Sequence, residues 1–252
     1  MNFAVAGDAY DRFIGRYSRL LAPRFLEFAG VTAGPVIEVG CGPGALTALL
    51  AELFGASRVA AVDPSKPFVD SCRARVPGAD VRLGSAEALP FPAGSFEAAL
   101  SQLVLSFVAD AGRTVAEAAR VVRPGGTVAA CTFEANGFAL ARTFWQAALR
   151  FDPAAPDDAR LPFRRSEELR DLWTRAGLRE IESGVIDLEG AYSGFEDFWA
   201  PFAFGVGPPG GYLIAQPEER RAAIRDACFE ILGRPAGAFS LPARALAIRG
   251  RT

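Results

Sequence analysis

Apolar residues recur along this chain with two alternating periods, one suited to helices and one to buried strands. Over residues 8–29 they fall at Tyr10, Phe13, Ile14, Tyr17, Leu20, Leu21, Phe25 and Phe28, close to the spacing of a helix face, and predict one or two amphipathic helices. Val36–Val39 then reads as a short buried strand, and Ala45–Phe54 (A-L-T-A-L-L-A-E-L-F) as a helix of strong formers. A second strand over 58–62 ends in Asp63-Pro64; Pro64 and Ser65 open a helix that runs to about Val76, where Pro77-Gly78 stops it. Further strands are predicted over 80–83, 96–101 and 127–133, with a helix over 111–122 and an R-P-G-G turn at 123–126 between the last two. Strand alternating with helix predicts a parallel sheet with helices on both faces.

Beyond Phe133 the order loosens. A helix is predicted near 138–150, a proline-rich link over 153–162, and a helix over 166–176 that Gly177 ends, with Ser166 placed as its cap. Strands over 178–188 and 239–249 enclose a long insertion, about 190–238, aromatic in its first half and a charged helix from Glu218 in its second. There is no internal repeat and no low-complexity segment. The pattern predicts one domain over 1–252: an N-terminal helical cap at 1–30, a core at 31–135, and a second half at 136–252 that carries the insertion.

Composition narrows the chemistry by what it lacks. Half of the 252 residues are apolar, enough for a sizeable core, and the formal charge is −2. Arginines at 12, 16, 19 and 24 read as a solvated helix face, and no like-charge run is long enough for a nucleic-acid arm. No apolar run approaches the ~20 residues of a membrane span, and the start M-N-F-A-V-A-G-D-A-Y lacks the order of a signal peptide. A cytoplasmic protein without nucleic-acid or membrane partners is expected. Histidine is absent and Lys66 is the single lysine, which removes a histidine base, a histidine metal ligand and all but one Schiff-base candidate. Cys41, Cys72, Cys131 and Cys228 form no C-x-x-C pair, so no metal centre is expected.

Residues 36–47, V-I-E-V-G-C-G-P-G-A-L-T, concentrate Gly40, Gly42 and Gly44 between a strand and a helix. Such a turn sets backbone N–H groups and a positive helix end at the carboxyl edge of the strand, where open parallel sheets take their ligands. Gly40-x-Gly42-x-x-Ala45, with Asp63 downstream, also satisfies the loose dinucleotide pattern. An NAD(P)-binding oxidoreductase is therefore one reading. It lacks a histidine proton donor and a Tyr-x-x-x-Lys pair, because Val62 stands four residues before Lys66.

Four motifs in order favour another. E-V-G-C-G-P-G with its acid at Glu38, Asp63 in V-A-A-V-D-P-S, G-S-A-E-A-L-P-F-P-A-G-S-F-E at 84–97 and R-P-G-G at 123–126 resemble the motifs of the class I S-adenosylmethionine-dependent methyltransferases. The opening A-Y-D-R-F-I-G-R-Y-S resembles the N-terminal helix of relatives of the quinone-biosynthesis methyltransferases. The resemblance implies a Rossmann-like, doubly wound α/β fold: a mostly parallel seven-stranded sheet with helices on both faces, the last strand antiparallel, and a helical cap insertion. It also implies S-adenosyl-L-methionine as cofactor. On that resemblance Asp63 accepts from both ribose hydroxyls, and Gly40, Cys41 and Gly42 bring backbone to the methionine part. Glu38 orients that loop, or else is a helix-end acid. Pro64, Ser85, Ala86 and Glu87 lie beside the nucleoside, with Ser85 where the family often has Asp. Gln102 and Leu103 close over the methionine and adenine, and Tyr10, Arg16 and Tyr17 cap the cofactor carboxylate or simply pack. A cofactor-binding regulatory subunit without catalysis remains open.

The methyl acceptor is expected between the N-terminal helix and the insertion. Phe198, Trp199, Phe202 and Tyr212 are its candidate contacts, either as an aromatic lid hinged at the glycines of 205–211 or as packing. A small, partly apolar molecule suits them. If a base operates, Glu134 at the end of the fifth strand is the candidate.

Overall fold

The computed structural model describes residues 11–252, with side chains from Phe13 onward; Tyr10 lies outside the described residues. Its centre is a seven-stranded sheet in the order β3-β2-β1-β4-β5-β7-β6. The strands are β1 (Val36–Val39), β2 (Val59–Asp63), β3 (Asp80–Leu83), β4 (Phe96–Gln102), β5 (Val122–Phe138), β6 (Arg179–Tyr192) and β7 (Phe239–Arg251). Only β7 runs antiparallel, against β5 on one side and β6 on the other. Every residue of β1 and β2 is buried, which explains why these strands read as unbroken apolar runs rather than as an alternation.

Helices cover both faces. On one lie α1 (Arg16–Ala29), α2 (Ala45–Phe54) and α5 (Ala139–Leu149), beneath which Leu21, Phe25, Leu46, Leu50 and Phe144 are buried. On the other, α4 (Ala111–Val121) and α6 (Ser166–Arg175) bury Val115 and Trp173, and the indole N–H of Trp173 donates to the Val128 carbonyl at 3.2 Å. The short α3 (Lys66–Arg75) seals the β2–β3 edge through Val69 and Cys72. β1 pairs with β2 and with β4, both parallel, so the chain winds outward in opposite directions from the β1–β4 pair. The carboxyl ends of these two strands therefore part, and a crevice opens there.

The structure departs from the sequence reading in several places. β5 begins at Val122 and takes in the R-P-G-G segment, which loops out between the pairings Phe96↔Val122 and Ala98↔Thr127. β6 continues to Tyr192 instead of stopping at 188, because its last residues alternate buried Leu188, Gly190 and Tyr192 with exposed neighbours. Ser166 is the first helical residue of α6 and caps nothing; the Glu168 carboxylate accepts from the Arg164 N–H at 3.0 Å instead.

The insertion is three helices, α7 (Phe195–Ala203), α8 (Gly207–Ile214) and α9 (Glu218–Ile231). The glycine-rich run expected to hinge is itself mostly α8, with prolines in its first turn, where the missing N–H costs nothing. Phe198 and Phe202 are completely buried, and Trp199 nearly so. Phe202 stacks on Phe144 at 4.8 Å and meets the edge of Phe13 at 5.3 Å, while the Tyr212 hydroxyl donates to Asp152 at 2.9 Å. The aromatic face is core, joining α7 to α5 and to the segment before α1.

That burial sets an expectation for stability. Truncating Phe198 or Phe202 to alanine should cost about 3–5 kcal/mol, the range for a large buried ring. Chemical denaturation should show the loss; a loss under about 1 kcal/mol would mean that the segment moves freely in solution.

Candidate functional site

The crevice is a cleft of about 390 Å³. Its lining comes from the turns that follow four successive parallel strands: Gly40 and Gly42 after β1, Asp63 to Ser65 after β2, Ser85 to Glu87 after β3, and Gln102 to Val104 after β4. Phe68 from α3, with Phe107, Val108 and Ala109 ahead of α4, completes the wall. Nine of the residues proposed from sequence, Gly40, Gly42, Asp63, Pro64, Ser85, Ala86, Glu87, Gln102 and Leu103, are brought together here.

Asp63 organises the cleft. Its Oδ2 accepts from the Gly42 N–H and its Oδ1 from the Ser65 N–H, both at 2.9 Å, so one carboxylate joins the turns after β1 and β2. Burial pushes its pKa up, and the two N–H donors pull it back. Each oxygen keeps further acceptor capacity toward the cleft. Gly40 has φ +77°, and a Cβ there would meet Val104 Cγ2 at 2.4 Å, so only glycine lets the loop after β4 close onto the end of β1.

Glu87 is committed to the loop opposite: its Oε1 accepts from the Ala109 N–H at 3.0 Å and the Asp110 N–H at 3.3 Å, and its Oε2 from the Ser85 hydroxyl. These bonds hold its pKa below the usual carboxylate range, the Ser85 contact foremost. Gln102 donates through Nε2 to the Ser18 carbonyl at 3.2 Å, while its Oε1 is buried without a donor. Leu103 has φ +63°, a strained conformation for a branched residue, held by its N–H donating to the Cys131 carbonyl at 2.8 Å.

Leu103 and Phe107 also line a second, smaller pocket of about 50 Å³ on their other side. Phe13 and Ile14 enclose it from the N-terminal segment, Phe133 and Phe138 from β5, and Gly207 and Pro208 from α8. Ser106, Thr132, Asp158 and Arg164 supply its polar atoms. Burial raises the Asp158 carboxyl to about 6, against the opposing pull of Arg164.

Other sequence candidates sit elsewhere. Glu38 lies beneath the glycine turn, almost wholly buried, and accepts from the Thr47 hydroxyl in α2; desolvation holds it well above the usual carboxylate range. Cys41 packs with Val69 and Cys72 behind the cleft. Arg16 pairs with Asp197 at 2.7 Å and lies over the Tyr192 ring at 4.2 Å. Tyr17 is completely buried, its hydroxyl 3.1 Å from that of Tyr192. Both side chains fasten α1 to β6 and α7, because the antiparallel β6–β7 ribbon offers α1 an apolar bed. Phe198, Trp199, Phe202 and Tyr212 line neither cavity, and Glu134 faces only a small void behind the pocket. Phe107, Asp158 and Arg164 were missed: they follow no motif, Asp158 lies in the stretch that reads as a link, and Arg164 falls between that link and the next predicted helix. Among the described residues, no cluster of acidic or thiol groups is placed to hold a metal ion, and no helix is long and apolar enough to cross a membrane.

Comparison with known proteins agrees with this geometry. Residues 37–130 match the family model described as a methyltransferase domain. A malonyl-[acyl-carrier protein] O-methyltransferase of Geobacter sulfurreducens is 30% identical over 69% of this chain and 66% of its own length. The one from Salmonella typhimurium is 36% identical over 58% of this chain and 57% of its own. The chain belongs to the class I S-adenosylmethionine-dependent methyltransferases. The geranyl diphosphate C-methyltransferase of Streptomyces coelicolor A3(2), solved with S-adenosyl-L-homocysteine, shares the fold at TM-score 0.54 and 15% identity, over 92% of this chain and 78% of that one. The matched region spans less than two thirds of either malonyl-[acyl-carrier protein] relative.

For a methyltransferase of this class the cleft has the parts that an amino acid joined to a nucleoside requires. The unpaired Gln102 Oε1 is an acceptor for an ammonium group, the Asp63 carboxylate is an acceptor for hydroxyls, and Gly40 and Gly42 expose backbone between them.

The Asp158 shift gives a pH test. Its folded-state pKa stands near 6 against 3.8 for the free side chain, so the folded protein holds this proton more tightly than the unfolded chain does. Its contribution to stability is greatest below pH 4 and is lost as pH rises through 6, a change of roughly 3 kcal/mol. Asp158→Asn should therefore raise the melting temperature relative to wild type at pH 8 and give no such gain at pH 4. An equal shift at both values would contradict the assignment.

Proposed function

We propose that this protein transfers a methyl group from S-adenosylmethionine, held in the cleft, to a small, partly apolar acceptor seated in the adjoining pocket. The observation that carries the reading is the shared wall: Leu103 and Phe107 line both cavities, the cleft with the larger polar share and the pocket almost wholly apolar. A donor in the first and an acceptor in the second meet across these two side chains.

When bound, the cofactor supplies an electrophilic methyl on a sulfonium, already activated for displacement. The residues bind and orient. Asp63 takes the ribose hydroxyls while its bonds to the Gly42 and Ser65 N–H groups keep it aimed at the cleft. Gln102 Oε1 takes the amino group of the methionine part, and Gly40 and Gly42 lie along it. Ala86 and Phe68 flank the base, with Ser85, Pro64 and the backbone near Val108 at its edges. Glu38 acts from beneath, by fixing the turn to α2. Phe107, Phe133 and Phe138 exclude water from the acceptor side, and Leu103, locked in its strained conformation, sets the depth at which the acceptor stops.

Placing a nucleophile in line with an activated methyl supplies much of the rate, so no strong base is required. Asp158, on the pocket wall, replaces Glu134 as the carboxylate positioned to receive a proton. The relatives named for malonyl-[acyl-carrier protein] support oxygen as the methylated atom.

Calorimetry tests the cofactor directly. S-adenosylhomocysteine should bind and NADH should not. Asp63→Ala removes charged hydrogen bonds worth about 1.5–3 kcal/mol and should weaken binding roughly ten- to a hundredfold. NADH binding tighter than S-adenosylhomocysteine, or an Asp63→Ala protein with unchanged affinity, would overturn the reading.

A further inference from the structure

Arg164 stands between the pocket and the small void behind it, with a side-chain nitrogen that no group among the described residues satisfies. It is 6% exposed, its Nε is buried without a partner, and among the described residues its guanidinium makes no hydrogen bond or ion pair. Its backbone is held fast: the N–H donates to Glu168 at 3.0 Å, and the carbonyl accepts from Ala135 at 2.9 Å. The arginine is therefore fixed in place and unpaired. Burying such a group uncompensated is costly, and an anion entering the adjoining pocket would offset that cost.

The surrounding charges do not complete it. Asp157 pairs with Arg142 at 3.1 Å. Glu134 borders the void and not the pocket. Asp158 faces Arg164 across the pocket and attracts it, without coming within ion-pair reach. The planar fork of a guanidinium matches a carboxylate through two parallel hydrogen bonds, which an ammonium cannot do. A pocket of about 50 Å³, set beside Phe107, Phe133 and Phe138, has room for a carboxylate and one or two carbons.

We propose that Arg164 is the recognition site for a carboxylate on the methyl acceptor, so that the acceptor is a small organic acid whose acidic end enters the pocket first. This rests on the methyl-transfer reading for the identity of the ligand as acceptor. Asp158 then acts against it, as a negative charge that the incoming carboxylate must tolerate.

The test uses the whole chain labelled uniformly with ¹⁵N and two probes of equal shape, propionate and propionamide, titrated with and without S-adenosylhomocysteine. The proposal expects propionate to shift the Arg164 Nε–H resonance along a saturating curve, with propionamide at least tenfold weaker. Arg164→Lys should weaken propionate at least tenfold, read on the backbone amides of Phe133 and Phe138, and Arg164→Gln should abolish saturation. Asp158→Asn should tighten propionate severalfold, a gain that a purely structural arginine would not produce. If Arg164→Gln fails to fold, as its thermal transition would show, the lysine and Asp158 variants decide. Equal binding of propionamide, or propionate binding that survives loss of the guanidinium, would overturn the proposal. S-adenosylhomocysteine failing to bind while propionate still saturates at Arg164 would leave the anion site standing and remove the methyl-transfer reading instead.

Discussion

Two hydrogen bonds to one carboxylate hold the ligand-binding edge of this protein together. Asp63 ends β2 and accepts from Gly42, in the turn after β1, and from Ser65, in its own turn. Neither N–H has a helical partner at that point, and without the acid both would face the cleft unsatisfied. The Gly40 and Cys41 N–H groups reinforce the same junction by donating to the Val62 carbonyl at 2.7 and 3.1 Å. An acid placed there shapes the cleft before any ligand arrives and presents its remaining acceptor capacity to that ligand. Its burial, which raises its pKa, is the accompanying cost.

A second constraint separates the two cavities. Leu103 follows β4 in a left-handed conformation, and Val104 fills the space that a side chain on Gly40 would need. Gly40 and the strained Leu103 are therefore two halves of one arrangement, in which the loop after β4 leans across the end of β1. That lean gives one side chain a face in each cavity. Replacing either residue alters the wall between the two cavities.

The half that carries the cleft was legible in the sequence because its physics is local. β1 and α2 have the limits that an apolar run and strong helix formers set, β3 (D-V-R-L) those of a short alternating stretch, and the glycines after β1 announce a turn that other residues cannot make. The half that carries the insertion depends on contacts between distant segments, which leave little trace in spacing. Phe198, Trp199 and Phe202 have the periodicity of a helix face, but periodicity alone does not say whether that face meets a ligand or Phe144 and Phe13. The glycines and prolines of 205–211 resemble a hinge, yet Pro208 and Pro209 fall in the first turn of α8, where they favour the helix. Arg16 and Tyr17 meet β6 through residues some 175 positions later in the chain. Arg164 is one arginine among many until the fold closes over it.

The central claim is that one carboxylate both builds the cleft and reads its ligand. A crystal structure of the protein with S-adenosylhomocysteine tests it most directly. The account predicts the ribose hydroxyls on Asp63, with the Gly42 and Ser65 N–H bonds intact, the amino group on Gln102 Oε1, and the sulfur facing Leu103 and Phe107. A ligand bound away from Asp63, or one that breaks the Gly42 bond in order to reach it, would contradict the account.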